Sequence, residues 1–126
     1  MHFRLEPNSG VPLGVQIARQ LRLAVASGRL LPNERLPAAR DLAADLKVNF
    51  HTVRKVYGDL EQEGLVRTER GLGTFVADRV KALDDGAVRR LVRQHVERLL
   101  EDLAGLGLSL RDVARLVDQE FKQLLR

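Results

Sequence analysis

The chain has 126 residues, with 21 Lys and Arg against 17 Asp and Glu for a formal net charge of +4, and it contains no Cys and no Trp. Such a length suits one domain or a smaller domain with an appended arm, and the lack of Cys excludes disulfides, thiolate metal sites and Cys nucleophiles and fits a reducing compartment. No apolar run approaches the roughly 20 residues of a membrane span, and residues 1–7 lack the apolar core of a signal peptide, so a cytoplasmic protein with no membrane partner is expected.

Pro12 suits the first turn of a helix, where no backbone N–H is needed, and Ile17, Leu21, Ala24 and Val25 recur on one face, so a first helix is predicted over 11–27. Gly28 is suited to the left-handed conformation that stops it, and Pro32-Asn33 follows as a turn. A second helix over 38–46 opens after Pro37 and buries Leu42, Ala43 and Leu46. Three residues later a third, over 50–62, buries Val53, Val56, Tyr57 and Leu60, with Gly64 as its stop. The period then changes: residues 65–69 and 74–76 are short β-prone runs, and Arg70-Gly71-Leu72-Gly73 between them has the glycines of a hairpin tip. From about residue 80 a long helical pattern carries Val88, Leu91, Val92, Val96, Leu99 and Leu103 on one stripe, up to a break at Gly105 and Gly107. Ser109 is placed to cap a last helix, with Asp112 three residues on, and Leu110, Val113, Val117, Phe121 and Leu124 line one side of it. Two amphipathic helices alone leave apolar surface uncovered, which calls for a partner surface.

Helix, short turn, helix and glycine-tipped hairpin follow in the order of a winged helix-turn-helix, whose second helix enters the major groove with its N-terminal side chains at base edges. Here those positions are Asn49, Phe50, His51, Thr52, Arg54 and Lys55. Arg54 and Lys55 lie off the core stripe and so face outward, where Arg is shaped to grip guanine or phosphate. Arg35 and Arg40 frame the start of the second helix and suit phosphate, with a salt bridge to Asp41 or Glu34 as the competing reading for Arg40. Arg70 and Gly71 at the hairpin tip suit an approach to the narrower groove.

Enzyme readings fare poorly. His2, His51 and His95 are remote in sequence and none has a partner at metal-ligand spacing, and His95 falls on the stripe of the long helix, where a buried or interface histidine is expected. The carboxylate pairs Asp84-Asp85 and Glu101-Asp102 are sequence neighbours that diverge on a helix and make no acid–base couple. No metal, cofactor or catalytic residue is expected. The charge is not concentrated in one half: residues 1–79 carry 12 Lys and Arg against 9 Asp and Glu, and residues 80–126 carry 9 against 8, so placement rather than amount points to nucleic acid.

The stretches Pro12-Leu13-Gly14-Val15-Gln16-Ile17, Gly28-Arg29-Leu30-Leu31-Pro32 and Leu36-Pro37-Ala38-Ala39-Arg40-Asp41-Leu42-Ala43 resemble the DNA-binding domain of GntR-type transcription regulators. The resemblance continues through Val48-Asn49-Phe50-His51-Thr52-Val53, Tyr57, Leu60, Glu63-Gly64-Leu65-Val66 and Gly71-Leu72-Gly73-Thr74-Phe75-Val76, covering residues 11–77. The Val-Asn-x-x-Thr-Val form and the short tail are similar to the YtrA branch. The resemblance implies DNA contacts at Arg40, Asn49, His51, Thr52, Arg54, Arg70 and Gly71, and a dimer formed by two C-terminal helices. Three positions depart from the family pattern: Ala38 stands where Ser is usual, Asn33 where Gly is usual, and Phe50 where much of the family has Arg.

The expectation is therefore a mainly α chain: a winged helix-turn-helix domain over 1–78 and a two-helix dimerisation arm over 79–126. Its function would be that of a homodimeric repressor of an inverted-repeat double-stranded DNA operator, its effector left open. A winged-helix protein-interaction module with an oligomerising tail is the alternative, and the response of DNA binding to loss of Arg54 separates the two.

Overall fold

The computed structural model describes residues 2–78 and 85–125, and the chain divides into two compact units, Met1–Lys81 and Ala82–Arg126. The junction residues 79–84, where the long helical pattern was expected to begin, lie outside the described residues.

In the first unit, α1 (Leu13–Ala26), α2 (Ala39–Leu46) and α3 (Phe50–Gln62) precede an antiparallel hairpin of β1 (Val66–Glu69) and β2 (Gly73–Val76), registered from Val66 opposite Val76 to Glu69 opposite Gly73. The third helix has the predicted bounds. The first two start late, because Pro12 and Ala38 both keep extended backbone (ψ 142° and 145°) and act as residues before the helix rather than in it. Neither supplies a side-chain cap. Asn33, with φ 67°, takes the left-handed conformation that Gly usually provides, and so does Lys47, φ 56°, which reverses the chain between α2 and α3.

The core of this unit is one cluster to which every element contributes: Ile17 and Leu21 from α1, Leu42 from α2, Val53, Val56, Tyr57 and Leu60 from α3, and Val66 and Val76 from the hairpin. Leu36 joins it because the segment before it is tied to β2 by an isolated antiparallel bridge between Arg35 and Phe75. There the Asn33 and Leu36 N–H groups donate to the Val76 and Thr74 carbonyls (2.9 and 2.8 Å), and the Val76 N–H donates to the Glu34 carbonyl (2.8 Å). At the other end, Gln16 and Gln20 use their amides as surrogate backbone. Each accepts from and donates to one residue of the N-terminal segment, Glu6 and Arg4 respectively, at 2.8–3.0 Å, which lays that segment along α1. The Arg22 guanidinium bonds both Glu63 oxygens (2.9 and 2.6 Å), ties α1 to the end of α3, and holds the Glu63 carboxyl below the usual range.

Tyr57 fixes the approach to α2: its ring is buried and its hydroxyl donates to the Pro37 carbonyl at 2.7 Å. Burial pushes the phenol up to about 12 from its ordinary 10.0. Because the folded value lies above the unfolded one, the neutral phenol's contribution to stability is complete below pH 10 and is lost progressively as pH rises from about 10 towards about 12. With one Tyr and no Trp, phenolate absorbance reports this group alone. Half-ionisation is expected near pH 12 in the folded chain, and a midpoint at pH 10 would contradict the packing described.

In the second unit, α4 (Asp85–Leu103) ends in a short 3-10 turn over Ala104–Leu106, left-handed Gly107 (φ 73°) breaks the path, and α5 (Leu110–Leu124) follows. The start of α5 is closed as the sequence suggests: the Ser109 hydroxyl accepts from the Asp112 N–H and the Asp112 carboxylate accepts from the Ser109 N–H, each at 3.1 Å. These bonds hold the Asp112 carboxyl below its ordinary value. Val113 is the buried hydrophobic residue of this unit among the described residues. Leu103, Val117 and Leu124 are half-buried, while Val88, Leu91, Val92, Val96, Leu99 and Phe121 are exposed. His95, expected to be buried or at an interface, is exposed in the single chain.

Candidate nucleic-acid interface

The start of α3 is built around Asn49, whose side-chain Oδ1 accepts from the His51 N–H at 2.7 Å. That bond satisfies one of the orphan donors of the helix. With one lone pair of its oxygen engaged, the side chain still offers its N–H groups to a phosphate or a base acceptor. His51 beside it is exposed.

Phe50 does not face outward with them. Its ring is half-buried against the core cluster, and the Arg40 guanidinium lies over it, 4.5 Å from the ring centroid. Arg40 therefore makes neither of the salt bridges considered for it, to Asp41 or to Glu34, among the described residues. Around it, Ala38 provides no hydroxyl, and the N–H groups at the start of α2 are left for an external acceptor.

Along α3, Phe50, Arg54 and Glu61 follow one another on one flank at helical spacing. One end of that flank meets Arg40 through Phe50. The other meets the hairpin, where a Glu61 carboxylate oxygen accepts from the Thr68 N–H at 2.6 Å. Arg54 is thus framed between the start of α2 and the hairpin, exposed and without a carboxylate partner among the described residues. Lys55 points elsewhere. It pairs with Asp59 one turn on (3.1 Å) and, with Thr52, lines the cleft between α1 and α3, where Gly14 lets the helices approach: a Cβ there would stand 3.2 Å from the Thr52 Cγ2. Of the residues expected to contact DNA, these two lie on the α1 side.

The hairpin is braced by Arg67, which stacks on Phe75 (5.3 Å to the centroid) and donates to Glu69 (2.9 Å), Asn33 (2.9 Å) and the Val76 carbonyl (3.0 Å). Asn33 in turn donates to Asp78 at 3.0 Å, so the residue that replaces the customary Gly has a bonding role besides its backbone one. Arg35 lies across the hairpin, its Nε 2.9 Å from where a Cβ on Gly73 would be, and the φ of 128° at Gly73 is what favours Gly there. Arg70 and left-handed Gly71 (φ 78°) form the exposed tip. Glu61, Arg67 and Asn33 brace the hairpin, and no periodicity marks them. The Glu-to-backbone and Arg-to-Asn bonds join residues 7 and 34 positions apart.

Among the described residues there is no cluster of three His, Asp or Glu suited to a metal ion, and no helix is long and apolar enough to cross a membrane. The face is instead cationic at Arg40, Arg54 and Arg70, while Arg22, Lys55 and Arg67 elsewhere in the unit are each paired with a carboxylate.

Comparison with known proteins agrees with this geometry. The family model for bacterial regulatory proteins of the gntR family matches residues 13–76. The chain is 30% identical over 108 residues to the HTH-type transcriptional repressor YtrA of Bacillus subtilis, an alignment spanning 86% of this chain and 83% of that one. Among solved structures it is similar to YtrA from Sulfolobus acidocaldarius (31% identity, TM-score 0.63, 79% of this chain and 97% of that one). It is also similar to the DNA-binding domain of AraR in complex with operator ORX1 (32% identity, TM-score 0.54, 61% of this chain and 99% of that one). With a winged helix-turn-helix as its first unit, the chain belongs to the GntR family of bacterial regulatory proteins.

Proposed function

We propose that the chain is a homodimeric, sequence-specific repressor that binds an inverted-repeat DNA operator. The observation that carries this is that Arg40 in α2, Arg54 in α3 and Arg70 at the hairpin tip are exposed with no carboxylate pairing any of them among the described residues. In a helix-turn-helix the first helix of the pair crosses the backbone and the second enters the major groove. That gives Arg40 a phosphate, Arg54 a base edge or the adjacent phosphate, and Arg70 the flanking groove. The similar AraR domain was solved in complex with an operator, which supports DNA as the ligand of this fold.

The second unit supplies the dimer. Large apolar side chains on α4 and α5, Leu91, Val92, Val96 and Phe121 among them, stay exposed in the single chain, and a second copy presenting the same stripe would bury them. Two recognition helices related by that two-fold would then meet half-sites about 10 bp apart.

Arg54→Ala is the direct test. DNA affinity is expected to fall by about 1–3 kcal/mol while melting temperature and dimerisation stay as they are. Unchanged affinity would transfer the face from DNA to a protein partner.

A further inference from the structure

We propose that Phe50 is a positioning residue for DNA binding: its ring serves as a platform that holds the Arg40 guanidinium ready for a phosphate. The inference rests on the DNA-binding reading above and goes further, because it gives Phe50, at a position the sequence suggested would touch a base, a role exerted through another residue.

Three observations converge on it. The guanidinium carbon of Arg40 lies 4.5 Å from the Phe50 ring centroid. The ring cannot turn away, since it is half-buried against the core of the winged unit, and the His51 ring leans on it at 5.5 Å with a 59° tilt. Arg40 is exposed and has no carboxylate partner among the described residues, so the ring is what orders it.

The chemistry of the stack explains its use. An ion pair would also order an Arg, but it would occupy the N–H donors and would have to break before a phosphate could bind. Stacking uses the face of the planar guanidinium and leaves its in-plane donors free for a bidentate phosphate contact. The long, flexible side chain is then partly ordered before binding, and less of its freedom remains to be lost on the DNA. Placed at the start of α3 beneath the start of α2, the ring also links the element that crosses the backbone to the element that enters the groove.

The test is a double-mutant cycle on the full chain, with a fluorescent duplex carrying the sequence that the wild-type chain enriches from random DNA as the probe. Phe50→Leu, which keeps an apolar side chain against the core and removes the aromatic face, is expected to weaken binding about threefold to tenfold. Phe50→Tyr is expected to bind within about twofold of wild type, since it keeps the ring. In an Arg40→Ala background, Phe50→Leu should have no further effect, a coupling that a purely structural role would not produce. Melting temperatures accompany each variant, and Phe50→Met replaces Phe50→Leu if the latter lowers stability. Equal losses with and without Arg40, or no loss at all, overturn the proposal while leaving the DNA-binding reading in place. Failure of the wild-type chain to enrich any sequence removes that reading and the proposal with it.

Discussion

A chain ending at Asp78 is expected to stay folded, to sediment as a monomer, and to lose about 10²–10⁴-fold in operator affinity, the factor that separates one-handed from two-handed binding. The fold is expected to survive because every residue of the first core cluster lies before residue 78, from Ile17 to Val76, and none comes from the second unit. The affinity is expected to collapse because a lone winged unit has one recognition helix. In the proposed dimer, docking of the first half-site would make docking of the second intramolecular. Sedimentation and binding to a duplex with both half-sites read the two outcomes separately. A truncated chain that still dimerises would move the interface into the winged unit and take the proposed role away from the exposed stripe on α4 and α5.

Ile17→Ala should be among the most destabilising single substitutions in the winged unit, costing about 2–5 kcal/mol. Ile17 is fully buried. It sits in α1, which packs against α3 where Gly14 brings the two helices close. Truncation there removes apolar contact from both helices, and the surrounding backbone is held by the Arg22–Glu63 pair at one end of the packed segment, so it cannot readily collapse into the space. Urea unfolding should show a lower midpoint with an unchanged slope. The reduction ought to appear in DNA binding as well, through the fraction of folded chain, and to vanish at temperatures where both proteins are folded. A cost below about 1 kcal/mol would mean that α1 is not part of the core that orients α3.

How much of this was legible beforehand varies with the kind of signal. The bounds of α3 follow from its dense stripe of Val53, Val56, Tyr57 and Leu60, and the left-handed positions at Gly28, Asn33, Gly64 and Gly71 follow from residue type. Lys47 does not, because nothing about Lys favours that conformation; the short distance between two packed helices imposes it. The late starts of α1 and α2 reflect Pro12 and Ala38 standing just outside the first turn. At the interface, the identity of Arg54 and Arg70 as outward cations was readable from periodicity and turn chemistry. The Lys55–Asp59 pair was readable too, as an i, i+4 spacing, and it draws Lys55 to the α1 side. The contacts of Gln16 and Gln20 with the N-terminal segment, of Glu61 with β1, of Arg67 with Asn33, and of Arg40 with Phe50 were not readable. Each joins segments whose proximity is a product of the finished fold and leaves no period in the sequence.

The central claim is that this chain reads DNA as a two-fold dimer. Its most direct test is selection from a pool of random duplexes by the intact chain, followed by sequencing of what is retained. Enrichment of an inverted repeat is expected, its half-sites centred about 10 bp, one helical turn, apart. Retention of duplexes without any common sequence, or of single half-sites with no two-fold partner, would contradict it.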